Sequence, residues 1–144
     1  MSIISPSLTL RNAICTAFKD AIDNGASAGN AATLAIYSGT RPATPEVSIN
    51  TELAGGSIKL LGTLTCSYPC GSVIGGDLQF APVASDMLAD NSGVATWGRI
   101  STFGGVPVVD VDASTTSGVG FLQMNTTNVA KDGPIVCQSL VISA

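Results

Sequence analysis

The sequence predicts a mainly β protein, an antiparallel β-sandwich of jelly-roll type with one N-terminal amphipathic α-helix, and three observations carry that expectation. Apolar residues recur with helical spacing from Leu8 to Ile22 and with the two-residue period of strands after Gly29. Short β-rich runs are punctuated by Gly, Pro, Ser, Thr and Asn. Between those runs there is no segment with the length and pattern of the crossover helices that parallel βαβ units use. A chain of 144 residues suffices for a single domain, read here as an N-terminal arm at 1–6, a helix at 7–24 and a β-sandwich at 30–144.

The helix is the first element. Leu10, Ile14, Phe18 and Ile22 recur at i+4 with Ala13, Ala17 and Ala21 beside them, while Arg11, Lys19, Asp20 and Asp23 lie elsewhere on the wheel. Ser7 is the predicted N-cap and Asn24-Gly25 the predicted stop. The Leu/Ile/Phe stripe is expected to pack on the core, the helix plugging one end of the sandwich; a subunit contact is the other use of such a helix. Ahead of it, Met1 to Pro6 is too apolar for a free tail and too short for an element. Ile3 and Ile4 are therefore expected to dock on a neighbouring subunit, the alternative being that they fold back over the protein's own sheet.

The strands follow. Ala32 to Ser38 alternates and ends in Gly39-Thr40-Arg41-Pro42. Further runs lie at Ile58 to Cys66, Asp77 to Phe80, Gly93 to Thr102, Val106 to Val111, Val119 to Met124 and Ile135 to Ser143. Alternation is clear in Ile58, Leu60, Gly62 and Leu64, and fair in Val136, Gln138, Leu140 and Ile142, so these strands should each turn one face to a core.

Composition points to contact rather than chemistry. Only 11% of the residues are charged and 45% are hydrophobic, against roughly 25% charged in an average soluble domain. Sixteen charges (6 basic, 10 acidic) cannot cover the surface of on the order of 6,800 Å² expected at this mass, so part of it is expected to be covered by copies of the chain or by a larger assembly. The net charge is −4 with the cations scattered, which disfavours binding to nucleic acid or to a membrane surface. The first residues lack a basic n-region, and no apolar run approaches the ~18 residues of a membrane span, so synthesis in a cytosol is expected.

The chemical motifs are few. There is no histidine, hence no Ser-His-Asp or Cys-His arrangement and no imidazole for proton transfer or metal binding. Asp110 and Asp112 form a D-x-D on one strand face; they read as solvated or edge-protecting acids ahead of cation ligands, and ahead of a catalytic pair. The pairs Gly55-Gly56, Gly75-Gly76 and Gly104-Gly105 match no phosphate-binding pattern and read as turns. Cys15, Cys66, Cys70 and Cys137 read first as buried free thiols, then as a disulfide, then as a metal site, because only Cys66 and Cys70 are close in sequence. Trp97 and Arg99, two apart on a strand, fit two readings equally: an anchor pair of an interface, or a tryptophan at the core's edge with an arginine beside it. No cofactor, no metal site and no enzymatic activity are expected.

A resemblance adds to this reading. The helix ending at Ala21-Ile22-Asp23, the run Leu34 to Ala43 with I-Y-S-G-T-R-P-A at its centre, and Ser92 to Ile100 together resemble a group of small proteins of tailed bacteriophages and prophages. The likeness covers the first third of the chain and the strand around Trp97; Val47 to Pro82 and the C-terminal third match in texture alone. The group resembles capsid decoration or cement proteins, β-sandwich subunits that sit outside a phage-type shell and tie its capsomers together. The resemblance implies a structural virion protein on the capsid exterior, assembled in the host cytoplasm. Its partners would be the phage major capsid protein and further copies of itself, as a homodimer or homotrimer. Two other expectations stand beside it: a tail or baseplate component, and a carbohydrate- or receptor-binding β-sandwich module. Tyr37, Tyr68 and Trp97 are the only Tyr and Trp residues, a thin supply for a sugar-stacking platform.

Overall fold

The computed structural model describes residues 5–115, 118 and 121–143. Helix α1 (Leu8–Ile22) opens the fold. Ser7 caps it in an extended conformation, its hydroxyl accepting the Leu10 N–H at 3.1 Å, and Gly25 leaves it at φ 76°, both as predicted. Strands β1 (Thr33–Tyr37), β2 (Leu60–Thr65), β3 (Gly71–Ile74), β4 (Asp77–Phe80) and β5 (Gly93–Val94) follow, with a short helix α2 (Asn50–Gly55) between β1 and β2. Then come β6 (Trp97–Ser101), β7 (Pro107–Thr115), β8 (Leu122–Met124), β9 (Asn128–Val129) and β10 (Cys137–Ser143).

The protein is mainly β. Eight strands form one sheet in the order β2-β1-β6-β7-β8-β10-β4-β3, while β5 and β9 make a separate two-stranded ribbon. Every ladder is antiparallel but one: β7 and β8 run parallel, with Ala113 opposite Leu122. The purely antiparallel expectation fails there: Ala113, Ser114 and Thr115 of β7 pair in parallel with Leu122, Gln123 and Met124 of β8, and only six residues of sequence, 116–121, link the two strands. That link is too short for a crossover helix, so the missing helical pattern said nothing about it.

The sheet curls around a single main core. Leu34 and Ile36 of β1, Leu61 and Leu64 of β2, Ile100 of β6, Leu122 of β8, Leu140 of β10 and Leu78 of β4 all belong to one buried cluster. Gly98 makes the close packing at β6 possible. A β-carbon there would lie 3.0 Å from Leu34 Cδ1 and 3.1 Å from Leu122 Cδ2, so two leucines press onto bare backbone.

The free edge of β2 is capped by the segment that follows β4. Ala84 N–H donates to Thr65 O at 2.8 Å and Asp90 N–H to Leu61 O at 2.7 Å. The Asp86 carboxylate accepts Thr63 N–H at 3.1 Å, and Asn91 Nδ2 donates to Leu60 O at 2.9 Å. Backbone groups that a neighbouring strand would have paired are thereby satisfied by turns and side chains.

Helix α1 packs on β3, β4 and β7, but with a different face from the one its apolar stripe predicts. Cys15 and Ile22 are fully buried and Phe18 is partly so, whereas Leu10 is 51% and Ile14 37% exposed. The reason is polar. Asn12 Oδ1 accepts the Gly76 N–H at 2.8 Å in the β3–β4 turn, and the Asp23 carboxylate accepts Cys70 N–H at 3.1 and 3.2 Å. These bonds set the rotation of the helix about its axis, and they turn Leu10 and Ile14 outward. Ile22→Ala should therefore cost about 2–5 kcal/mol of unfolding free energy, and Leu10→Ala well under that, as measured by urea denaturation. Equal costs would mean that the helix is rotated otherwise.

Candidate interaction surfaces

The face of β1, β6 and β7 that points away from the main core carries the residues singled out in the sequence. The register sets Tyr37 opposite Trp97, Trp97 opposite Asp112 and Arg99 opposite Asp110, so strand alternation gathers all five on one side. The Tyr37 and Trp97 rings stack at 4.5 Å with 16° between their planes, and Arg99 Cζ lies 5.4 Å from the Trp97 ring. Arg99 grips Asp110 with two bonds, Nε to Oδ1 at 2.7 Å and a terminal amino nitrogen to Oδ2 at 3.0 Å. The bond to Asp110 raises the Arg99 pKa above its ordinary value, and burial raises that of Tyr37.

Ile49 and Ile58, flanking α2, cover this cluster. Trp97 is 0% and Arg99 8% exposed, so the chain's own loop occupies the place proposed for a partner. Neither side chain offers free surface: the loop covers Trp97, and Arg99 is engaged by Asp110. The Trp97 Nε1 is buried and has no hydrogen-bond partner among the described residues, a cost that the packing of its ring offsets. Ile3 and Ile4, the other two residues expected at an interface, lie outside the described residues.

The D-x-D is split by the same geometry. Asp110 is inside and neutralised by Arg99, while Asp112 is 66% exposed and accepts Arg41 Nε at 3.0 Å. Asp112 is thus solvated, as the sequence reading allows, and Asp110 is not; the β7–β8 pairing covers only Ala113, Ser114 and Thr115 and so flanks neither acid. Among the described residues no group of three or more His, Cys, Asp or Glu side chains is placed to hold a metal ion.

All four cysteines are free thiols. Cys15 donates to Gly76 O at 3.3 Å. Burial pushes the Cys66 and Cys70 thiols up to about 12 and that of Cys137 to about 11, which leaves them protonated and poorly nucleophilic near neutral pH. A cleft of about 330 Å³ opens where β10 and the chain beyond β4 diverge, between Gln79–Val83 and Cys137–Val141. Cys137 is the only titratable side chain lining it, so the cleft holds no acid–base pair.

The outward face of α1 remains. Several of its polar side chains serve the body: Asn12 and Asp23 as above, with Lys19 Nζ on Asp23 at 3.5 Å, while the exposed Thr16 hydroxyl donates back to Asn12 O within the helix. Among its exposed positions Asp20 is the only charged one. Leu10, Ala13, Ile14, Ala17 and Ala21 face solvent, and a shallow apolar groove of about 340 Å³ runs between Ile14, Ala17, Phe18 and Ala21 of the helix and Val108. Val106 and Phe103, in the turn leading to β7, are 63% and 52% exposed. The sequence held a signal for this face, a charge-free side of the helix opposite Lys19 and Asp23. It was misread because an apolar stripe was equated with the inside.

In comparisons with known proteins, no family model, no curated protein and no solved structure matches the chain. Among the described residues no helix is long and apolar enough to cross a membrane.

Two measurements check the cluster and the thiols. Asp110→Ala leaves a cation unpaired in the interior and should cost about 3–5 kcal/mol, whereas Asp112→Ala, at an exposed pair, should change stability by at most about 1 kcal/mol, both read by chemical denaturation. The thiols of Cys66, Cys70 and Cys137 titrate higher in the folded than in the unfolded chain, so their contribution is whole below pH 9 and is lost as pH rises toward 11–12. A melting temperature that falls through that window, with no thiol reacting with a maleimide in the native protein at pH 7, is the expected result.

Proposed function

We propose that this chain is a structural virion protein of a tailed phage, a decoration or cement subunit that sits on the outside of the capsid, associates with its own copies and bridges neighbouring major capsid subunits. The observation that carries the reading is the outward apolar face of α1, a helix that turns Leu10 and Ile14 to solvent while Asn12 and Asp23 bond to the body. A side that is apolar and almost free of charge is suited to being covered.

The resemblance to phage proteins supports the same reading from a different direction. Its two best segments, around Ile36 to Ala43 and around Trp97, are not adjacent in sequence, yet Ile36 and Tyr37 pair directly with Gly98 and Trp97 across β1 and β6. Those two segments of the resemblance thus lie side by side, while its third, the end of α1, belongs to a helix that packs on β3, β4 and β7. A subunit of this kind acts by mass action: it binds the closed lattice and not the dissociated chains, so each contact stabilises the closed form, and many weak contacts on one shell add. A sugar-binding module draws no support from Trp97 and Tyr37, which stack on each other with the indole fully buried.

The test mixes the purified chain with emptied capsid shells of the phage that encodes it. Sedimentation with the shell, saturation at a copy number commensurate with the lattice, and a higher temperature of shell disruption are expected. Failure to bind, or a copy number matching a single ring at the tail, overturns the reading.

A further inference from the structure

We infer that the outward face of α1 is the site where two copies of this chain pair, helix against helix and antiparallel, about a two-fold axis. This rests on the self-associating part of the reading above and names its surface. The argument begins with the order of side chains along the exposed stripe. Large residues, Leu10 and Ile14, occupy its N-terminal half, and small ones, Ala17 and Ala21, its C-terminal half. Within each pair the residues are four apart along one ridge, and the two pairs lie on neighbouring ridges offset by three residues, Ile14 to Ala17. When a second α1 is laid antiparallel on the first, Leu10 falls on Ala21 and Ile14 on Ala17, in both directions at once. Each large side chain meets a small one, and the stripe fills itself. In a parallel pairing the leucines and isoleucines would meet each other and the alanines would face a gap.

Charge agrees with shape. A partner for an apolar stripe whose only exposed charge is Asp20 must itself be nearly free of charge, and this face of the same chain meets that condition. The antiparallel register sets the two Asp20 side chains nine residues apart along the axis, about 13 Å, beyond the roughly 8 Å over which exposed charges interact at physiological salt. The stripe is isologous, as a two-fold contact requires.

Size sets the strength. Fifteen residues of helix are about 22 Å long and about 10 Å across, less than the roughly 800 Å² per partner of a standard stable interface. Val108, which lines the groove beside the helix, extends the apolar area. The pairing is accordingly a weak one that concentration, or attachment to a common lattice, brings to completion.

The experiment compares the full chain with single substitutions by light scattering and sedimentation at millimolar concentration. The native chain should show twice its 14.4 kDa mass. Ile14→Glu and Ala17→Lys should each be monomeric with an unchanged circular dichroism spectrum, because both sites are exposed. Mixing those two variants should restore the dimer, since the register sets position 14 of one copy against position 17 of the other. Leu88→Glu, at a residue 68% exposed elsewhere on the surface, should leave the dimer intact. A native chain that stays monomeric, a dimer indifferent to Ile14→Glu, or variants that fail to rescue each other overturns the inference. Shell binding is scored separately: a chain that pairs through α1 yet ignores shells overturns the virion reading alone. A monomer that binds shells and loses that binding with Ile14→Glu overturns the pairing and leaves the virion reading in place.

Discussion

The buried ion pair between Arg99 and Asp110 is the constraint on which the sheet's arrangement turns. It sits between two adjacent strands, one residue from Gly98 and Val111, which face the opposite side. Shifting β6 against β7 by one residue would swap the faces of every side chain on the displaced strand, sending a carboxylate or a guanidinium into the leucine-lined core without its partner. Such a pair adds little net stability over a well-packed apolar one, but it penalises the wrong register heavily. Register at β6–β7 in turn seats Trp97 against Tyr37, and the indole is the floor on which Ile49 and Ile58 rest. The loop that encloses α2 is thus held by a chain of dependencies that starts at two charges.

Much of this was legible in the sequence, and the reasons differ by element. The strands β1, β2, β4, β6, β7 and β10 were visible because each carries alternation or a β-rich run bounded by turn residues, and α1 because fifteen residues are long enough for a period to show. The pieces that escaped are short: Gly71–Ile74, Asn128–Val129 and Asn50–Gly55 hold too few residues for any period to emerge. Position in the sheet also escaped. Asp110 looks like a solvated acid in V-V-D-V-D, and nothing local announces that an arginine eleven residues earlier lies directly across from it. The same holds for Trp97, whose burial is decided by a loop fifty residues upstream. Charge scarcity raises an expectation of contact, but nothing local indicates which face of α1 turns outward, because its rotation is set by the Gly76 and Cys70 amides in distant turns.

The few charges are deployed in a consistent way. Arg99, Arg41 and Lys19 each engage an aspartate within the chain, so half of the six basic residues are committed to internal fastening. What is left for the surface is an apolar exterior with sparse charge, including the side chains of Leu10, Ile14, Val106, Met87 and Leu88. A chain that must remain dispersed on its own would keep its charges outside. Here six of the sixteen charged residues are tied up in internal pairs, of which only Arg99–Asp110 is withdrawn from solvent on both sides.

The unequal ends of the sheet have a bearing on how such a chain survives at high concentration. β3 stands last in the strand order, while the opposite terminus, β2, has its carbonyls and amides occupied by Thr65–Ala84, Leu61–Asp90 and the Asp86 and Asn91 side chains. A sheet open at both ends is bivalent and can polymerise by strand addition; one that is open at a single end is monovalent and acts as a chain terminator. Copies joined through the β3 ends of their eight-stranded sheets therefore stop at the pair, and any longer order among the described strands of that sheet must be imposed through side-chain surfaces.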